Sequence, residues 1–252
     1  MWMILAVVGT LIQLGFGFIN RTHSAPGTFV RGSIEFIVVS AVLISAIPFA
    51  VKINHELDLP GGPLITAKLN GEEQPYRWSL IVLGGVLWSV VGMVTIFVGQ
   101  ALFVVFILRL TVPAHQIHHA PIVRPSASWL VFKAVMSSIS AGVQEEILFR
   151  FVLIGVFSWA LMFVSRSTDR RPTRTQLWLA IIVQAYCFGT AHLWPGSYLA
   201  GGIFGVREIG ILVLPQTWAG AFFGLLYVER DLETAIVAHT FWDLVWMPFR
   251  MR

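Results

Sequence analysis

The chain consists largely of long apolar segments separated by short polar connections. A helix needs about 20 mostly apolar residues to cross a bilayer, and seven segments of the sequence come close to that length or exceed it. They are Trp2 to Ile19, Ser33 to Val51, Ser79 to Leu108, Ser128 to Val164, Gln176 to Leu193, Ile209 to Val228 and Leu232 to Phe249. We therefore predict an all-α, polytopic transmembrane bundle of seven or eight membrane helices.

Three features bear on the number of spans. At 1.5 Å per residue, Ser128 to Val164 would be about 55 Å long as one helix, against an apolar core of about 30 Å. It therefore forms either two membrane helices or one long kinked helix. The first segment has neither the positive flank nor the small-residue cleavage site of a signal peptide, so we expect a retained helix. The polar, Pro- and Gly-rich stretch from Lys52 to Arg77 indicates a solvated loop.

Composition supports a membrane protein. Hydrophobic residues make up 56% of the chain and charged residues 12%, whereas roughly a quarter of a soluble domain is charged. This deficit of charge excludes a soluble enzyme, a disordered chain and a disulfide scaffold. The net charge of +4 is small and scattered, so we expect a lipid bilayer and no nucleic acid as partner. The positive-inside rule places the connection with Arg166, Arg170, Arg171 and Arg174 in the cytoplasm.

Ionisable residues within apolar segments are costly and usually functional or paired. Lys133 lies near a segment end and can extend its amine to the interface. Six others lie deeper, all in the second half of the chain: Glu145, Glu146, Arg150, His192, His239 and Asp243. They fall on three predicted helices, so each of these helices carries acid–base or ligand chemistry into the membrane.

Helical spacing predicts which of these side chains meet. Glu146 and Arg150 are four residues apart, so they share a helix face and can pair. His239 and Asp243 have the same spacing. Glu145 is about 100° around the helix from its neighbour, so we expect it to point elsewhere.

Each group also has a purely structural interpretation. Glu146 and Arg150 could form a structural ion pair. His192 could bond an orphan carbonyl at a helix end. His239 and Asp243 could join two helices as a polar pair. A bundle that needed only such contacts would use Ser, Thr or Asn, so the combination favours a chemical role.

Two weaker patterns favour structural roles. His115, His118 and His119 lie in a Pro-bounded stretch without a nearby carboxylate, and we interpret them as interfacial rather than metal-binding. Gly220 and Gly224 have the spacing that lets helices approach closely.

The three polar sites together resemble the CPBP family of intramembrane proteases, which includes type II CAAX prenyl proteases and bacteriocin-processing or self-immunity proteins. Its motifs are EExxxR, FxxxH and HxxxN or HxxxD on separate membrane helices. Here they read Glu145 to Arg150, Phe188 to His192 and His239 to Asp243. The resemblance divides the chain into an N-terminal region without family motif, 1–127, and a catalytic helical core, 128–252, within one membrane unit.

The resemblance implies a role for each residue. Glu145 and His192 would activate water. Glu146 and Arg150 would hold the site in shape. His239 and Asp243 would face the scissile carbonyl as oxyanion stabilisers. Because an ionised aspartate donates no hydrogen bond, Asp243 could instead orient His239, be protonated or bind a metal.

The predicted function is therefore an intramembrane endopeptidase that hydrolyses a membrane-associated or prenylated (CAAX-type) peptide or protein. The family is described as metal-dependent, which suggests a divalent ion such as zinc. Its ligands would come from His192, His239, Glu145 and Asp243. The expected location is a prokaryotic cell membrane, as a multi-pass protein.

Two other functions remain open at this point. One is a non-catalytic membrane scaffold or a peptide-binding, immunity-type protein that uses the polar cluster as structure. The other is a proton-coupled transporter, since intramembrane Glu, His and Asp also form proton relays. The chain shows no inverted repeat, which counts against the transporter.

Overall fold

The structure is a computed structural model that describes residues 41, 45–73, 77–107, 127–165, 171–192 and 213–250. Every regular element in these ranges is a helix. They are α1 (45–56), α2 (Pro63–Asn70), α3 (Trp78–Ile107), α4 (Ala127–Glu145), a π-helix (Glu146–Ile154), α5 (Gly155–Val164), α6 (Arg174–Ala191), α7 (Leu214–Glu229) and α8 (Leu232–Arg250). The all-α prediction is confirmed for this part of the chain. The prediction of a solvated loop from Lys52 to Arg77 is wrong in part, because α1 and α2 extend into this stretch and bury apolar side chains such as Ile53 and Leu64.

Among the described residues, two helical stretches have the length and hydropathy of membrane spans. They are Trp78–Gly99, within α3, and Leu130–Val164, which runs through α4, the π-helix and α5. The long segment after Ser128 is therefore one continuous helical run, the second of the two predicted alternatives. Apolar side chains of α3 such as Leu80 and Leu87 are 60% and 57% exposed, as expected of a face that contacts lipid.

The count of seven or eight spans stays a prediction. The segment from Trp2 to Ile19 and the histidines at 115, 118 and 119 lie outside the described residues, as do Arg166 and Arg170. The last three predicted segments correspond to helices α6, α7 and α8, with ends that differ by a few residues from the hydropathy limits.

Local sequence signals fix several helix ends. Helix α6 begins with a capping box, in which the Thr173 hydroxyl accepts from the Gln176 N–H at 3.3 Å and the Gln176 carbonyl oxygen Oε1 accepts from the Thr173 N–H at 2.7 Å. Helix α2 has Pro63 in its first turn and ends at Gly71, whose φ of +70° suits glycine. These caps satisfy backbone groups that the helices themselves leave unpaired.

Three connections lie at one end of the bundle. Leu232 N–H donates to the Gly61 carbonyl at 2.8 Å, and the Glu233 carboxylate accepts from the Ile65 N–H at 3.0 Å. Arg171 forms an exposed ion pair with Asp58 at 2.5 Å. Arg171, the loop before α2 and the turn between α7 and α8 therefore share one side of the protein.

Glycines bring the central helices close together. A Cβ added to Gly220 would lie 2.9 Å from the Ala185 Cα, and one added to Gly224 would lie 2.9 Å from Gln184 Oε1. Ordinary van der Waals contact begins near 3.4 Å, so α7 packs on α6 at a distance that only glycine permits. The close packing predicted from the Gly220–Gly224 spacing is confirmed.

Candidate active site

The imidazole of His239 lies at the centre of the polar groups. Its Nδ1 is 2.7 Å from Glu146 Oε1, so Nδ1–H donates to that carboxylate. Its Nε2 is 3.7 Å from Glu145 Oε2 and 4.0 Å from Asp243 Oδ2. A single water or a substrate oxygen can bridge polar atoms at such separations. We call the Nε2 side the open side of the ring, because the Glu145 side chain on that side is 32% exposed whereas that of Glu146 at Nδ1 is 0% exposed. Asp243 takes part in a further interaction of its own.

The predicted pair of Glu146 and Arg150 is present and fully buried. Arg150 Nη1 lies 3.1 Å from Glu146 Oε1, the same oxygen that accepts from His239. The contact is an ion pair rather than an aligned hydrogen bond, because within the described part of the chain Nη1 has no hydrogen-bond partner of good geometry. Removing one member of such a pair leaves the other charge buried and uncompensated.

Aromatic rings surround the Arg150 guanidinium. Its Cζ lies 4.4 Å from the centre of the Phe188 ring, 5.4 Å from Phe223 and 6.0 Å from Phe149. Each ring presents a negative face to the cation. Phe223 also stacks on His239, with centroids 4.7 Å apart and planes inclined by 17°. The rings therefore hold the cation and the imidazole in fixed positions and exclude water from Glu146.

The helix that carries both glutamates changes from an α-helix to a π-helix at the site. Helix α4 ends at Glu145 and the π-helix begins at Glu146. Stretches of π-helix are rare and often occur at functional sites. Opposite this point Gly142 faces α8, where an added Cβ would overlap with the Thr240 Oγ1 and lie 3.0 Å from the Thr240 backbone N. The missing side chain lets α4 approach α8 closely enough for the glutamates to reach His239.

The two adjacent glutamates differ in exposure. The side chain of Glu145 is 32% exposed and that of Glu146 is 0% exposed. Both nevertheless approach the same imidazole, one on each nitrogen. The different exposures agree with the predicted offset of about 100° between the two side chains, and both can approach one imidazole because His239 reaches in from α8.

His192 joins the cluster through Phe188. Its Nδ1 is 2.8 Å from the Phe188 carbonyl oxygen, and because a carbonyl only accepts, Nδ1 carries the proton and the Nε2 lone pair stays available. The centroid of the Phe188 ring lies 4.9 Å from that of the His192 ring and 6.1 Å from that of the His239 ring. Phe188 therefore lies between the two histidines. The predicted bond from His192 to a carbonyl at a helix end is present, and it occupies one ring nitrogen only.

Whether the site holds a metal ion stays a prediction. In the described ranges, no group of three His, Cys, Asp or Glu side chains is arranged to hold a metal ion. The predicted ligands His192, His239, Glu145 and Asp243 are of the types that zinc binds, so metal binding stays a prediction.

Some residues of the site were not identified from the sequence. Phe149 lies between the charged positions of the first motif, and Phe223 follows Gly220 by three residues on a helix without a motif. Both contact Arg150, and Thr240 sets the spacing of α4 and α8. The sequence signal for Phe223 was its position beside Gly220 and Gly224, the two glycines that bring α7 close to its neighbours.

Comparison with known protein families matches residues 127–245 to the type II CAAX prenyl endopeptidase family, Rce1-like. This region contains all three motifs and every side chain of the cluster around His239. Neither the comparison with curated proteins nor that with solved structures found a match. Family members are integral membrane proteases, and the two apolar spans agree with that location. The match of residues 127–245 to the Rce1-like type II CAAX prenyl endopeptidase model therefore supports the CPBP/CAAX protease family.

Proposed function

We propose that the protein hydrolyses a peptide bond in a membrane-associated or prenylated peptide or protein, with water activated by Glu145 and His192. The observation that carries this proposal is the unequal exposure of the two adjacent glutamates, 32% against 0%. Only Glu145 can meet both solvent and substrate. In this proposal the protein is a multi-pass protein of a prokaryotic cell membrane.

In this mechanism Glu145 is the general base. Its carboxylate takes a proton from a water molecule, and the resulting nucleophile attacks the scissile carbonyl carbon. His192 keeps its Nδ1–H on the Phe188 carbonyl, which leaves Nε2 free to accept a hydrogen bond from the same water. The proton then passes to the leaving amine as the tetrahedral intermediate collapses.

His239 stabilises the developing oxyanion. Its Nδ1–H is held by Glu146, so a doubly protonated ring donates from Nε2 towards the open side. Glu145 and Asp243 flank that nitrogen at 3.7 and 4.0 Å. We assign Asp243 the role of orienting His239, because an aspartate that faces an oxyanion donates nothing when ionised.

Glu146 and Arg150 form the fixed part of the site. They are fully buried and linked to each other and to His239. Preorganised charges of this kind need no rearrangement when charge develops on the substrate. Their contribution is to hold the imidazole in place rather than to exchange protons with water.

The test compares wild type with Glu145→Ala. We expect the variant to fold normally and to lose cleavage, measured on a quenched fluorescent peptide with a prenylated C-terminal CAAX sequence. A matched control is Glu229→Ala, which removes an exposed carboxylate at the end of α7. Cleavage that survives in Glu145→Ala contradicts the proposal and favours a non-catalytic scaffold.

The natural substrate can be found in the same way. Membrane-protein termini from cells that carry wild type should include new ends that are missing from Glu145→Ala cells and present in Glu229→Ala cells. Identical termini in all three strains would contradict a protease role in those cells.

A further inference from the structure

A groove of about 700 Å³ runs along one face of α3, beside the turn between α7 and α8. Its α3 wall includes Leu80, Gly84, Leu87 and Val91, whose spacing of three or four residues places them on one helix face. Thr234 of α8 and residues of the α7–α8 turn form the opposite wall. The volume of this α3 groove lies within the range of about 300–1,000 Å³ that is typical of ligand sites.

Gly84 leaves open space in the α3 groove. A Cβ added to Gly84 would meet no atom within 4 Å. Two other glycines of α3 differ, because an added Cβ would lie 2.6 Å from Val237 at Gly85 and 2.7 Å from Phe222 at Gly92. Close packing against α8 and α7 therefore accounts for Gly85 and Gly92, whereas the space beside Gly84 is available to a ligand.

The length of the α3 groove matches one leaflet of a bilayer. Val91 follows Leu80 by 11 residues, which is about 16 Å along a helix, and half of the apolar core is about 15 Å. The membrane span within α3 begins at Trp78, whose side chain is 39% exposed, as is typical of an aromatic residue at the membrane surface. The α3 groove therefore extends from the membrane surface about as deep as one acyl chain.

The polar end of the α3 groove carries an accessible cation. Arg230 is exposed and lines the groove at the α7–α8 turn. Asp231 lines the same end but is 5% exposed, and its Oδ1 accepts from the Thr234 N–H at 2.6 Å as the cap of α8; it also has a further interaction. Glu229 is exposed, yet it is not part of the lining.

A second arginine lies near this end. Arg77 is exposed and directly precedes α3, where its carbonyl accepts from the Leu80 N–H at 2.9 Å. Arginine pairs with phosphate through two parallel hydrogen bonds, and exposed basic residues at a membrane surface attract anionic lipids. The charge at the end of the apolar α3 groove is therefore complementary to an anionic headgroup.

We propose that the α3 groove binds one anionic phospholipid of the surrounding bilayer, with its phosphate at Arg230 and one acyl chain along α3 from Leu80 to Val91. A lipid in this position contacts both α3 and α8, the helix that carries His239. The proposal does not depend on the reaction that the protein catalyses, so its test needs no substrate.

The first experiment measures lipid selectivity. The full chain is purified in detergent, and native mass spectrometry measures binding of dioleoyl phosphatidylglycerol, which is anionic, and dioleoyl phosphatidylcholine, which has the same chains and no net charge. We expect phosphatidylglycerol to bind about tenfold more tightly, the order expected for one charge-assisted hydrogen bond. Equal binding of the two lipids would overturn the proposal.

The headgroup contact is tested with Arg230→Gln. We expect this variant to bind phosphatidylglycerol about tenfold more weakly than wild type. The matched control is Arg174→Gln, which removes another exposed arginine at the start of α6 and should bind as wild type does. Wild-type affinity in Arg230→Gln, or an equal loss in both variants, would overturn the assignment of the phosphate to Arg230.

The acyl-chain contact is tested with Gly84→Leu, which fills the α3 groove. The variant should fold, because its Cβ meets no atom within 4 Å and leucine favours a helix more than glycine does; thermal unfolding without lipid checks this. Gly99→Leu is the matched control, since Gly99 lies on the same helix, has the same open space and is not part of the lining. We expect phosphatidylglycerol binding to be lost in Gly84→Leu alone. Unchanged binding in Gly84→Leu, or equal loss in Gly99→Leu, would overturn the proposal.

A crosslinking experiment locates the lipid. Phosphatidylglycerol with a photoactivatable acyl chain should label residues 80–91 in wild type, and Gly84→Leu should abolish this labelling. Labelling that extends evenly to the exposed Val94 and Val98 and persists in Gly84→Leu would show only bulk lipid around the protein and would overturn the proposal. A wild-type dimer that Gly84→Leu dissociates would also overturn it, because the α3 groove would then belong to a second copy of the chain.

Discussion

Replacing Gly142 by alanine should inactivate the protein while leaving it folded. Gly142 lies three residues before Glu145, and its neighbour Thr240 directly follows His239. A Cβ at 142 would overlap with Thr240 Oγ1 and lie 3.0 Å from the Thr240 backbone N and 3.2 Å from the Ile236 carbonyl oxygen. The substitution therefore pushes apart the two helices that carry Glu145 and His239.

The size of the effect follows from these contacts. Ordinary contact begins near 3.4 Å, so relieving the overlap with the hydroxyl moves α4 from α8 by about 1 Å. A shift of that size costs about 100-fold in rate when it separates catalytic groups. Overpacking of this kind costs about 1–3 kcal/mol in the free energy of unfolding, which leaves the bundle folded.

A second substitution isolates the cause. Thr240→Ala removes the hydroxyl, so in the double variant only the backbone contacts at 3.0 and 3.2 Å remain, and a shift of a few tenths of an ångström relieves them. We expect the double variant to recover about tenfold or more of the rate lost in Gly142→Ala. Cleavage rates and thermal unfolding of the four proteins in the cycle test this. Full activity in Gly142→Ala, or no recovery in the double variant, would refute the reasoning.

Three further substitutions test other parts of the site. Arg150→Gln leaves the buried Glu146 carboxylate uncompensated, so we expect a loss of about 3–5 kcal/mol in the free energy of unfolding; an unchanged denaturation curve would contradict the buried pair. His192→Ala should lower kcat by about 10²–10⁴-fold with little change in thermal stability; wild-type turnover would exclude it from water activation. Phe223→Leu removes the ring stacked on His239. We expect it to lower the free energy of unfolding by about 0.5–1.5 kcal/mol and to raise the activation free energy, calculated from kcat, by more than that. A kcat equal to that of wild type would show that the ring does not hold the imidazole.

Contacts within one helix could be predicted from the sequence because helical geometry fixes them. The spacing of Glu146 and Arg150 predicted their pair, and the structure confirms it. Hydropathy also located α8, predicted from Leu232 to Phe249 and observed at Leu232–Arg250. These features depend on spacing along one helix, and the pair is present even though both residues lie in the π-helical segment, whose turn is longer than that of an α-helix.

Contacts between helices could not be predicted in the same way. That Glu146 would bind His239 depends on how closely α4 approaches α8, and a glycine opposite a threonine sets that distance. That both glutamates approach the same imidazole could not be predicted for this reason. A π-helix also has no simple sequence signal, so periodicity could not show the change of helical conformation that begins at Glu146.

The two adjacent glutamates have different roles in this mechanism: Glu145 is the general base, and Glu146 holds Arg150 and His239 in place. Comparing the cleavage rate of Glu145→Gln with that of Glu146→Gln tests this difference. Both purified variants are compared on the prenylated fluorescent peptide, with rates normalised to folded protein. The account predicts that Glu145→Gln folds with wild-type stability and loses about 10²–10⁴-fold in kcat, whereas Glu146→Gln is chiefly destabilised because Arg150 loses its buried partner. Retained cleavage in Glu145→Gln, with loss confined to Glu146→Gln, would contradict the account.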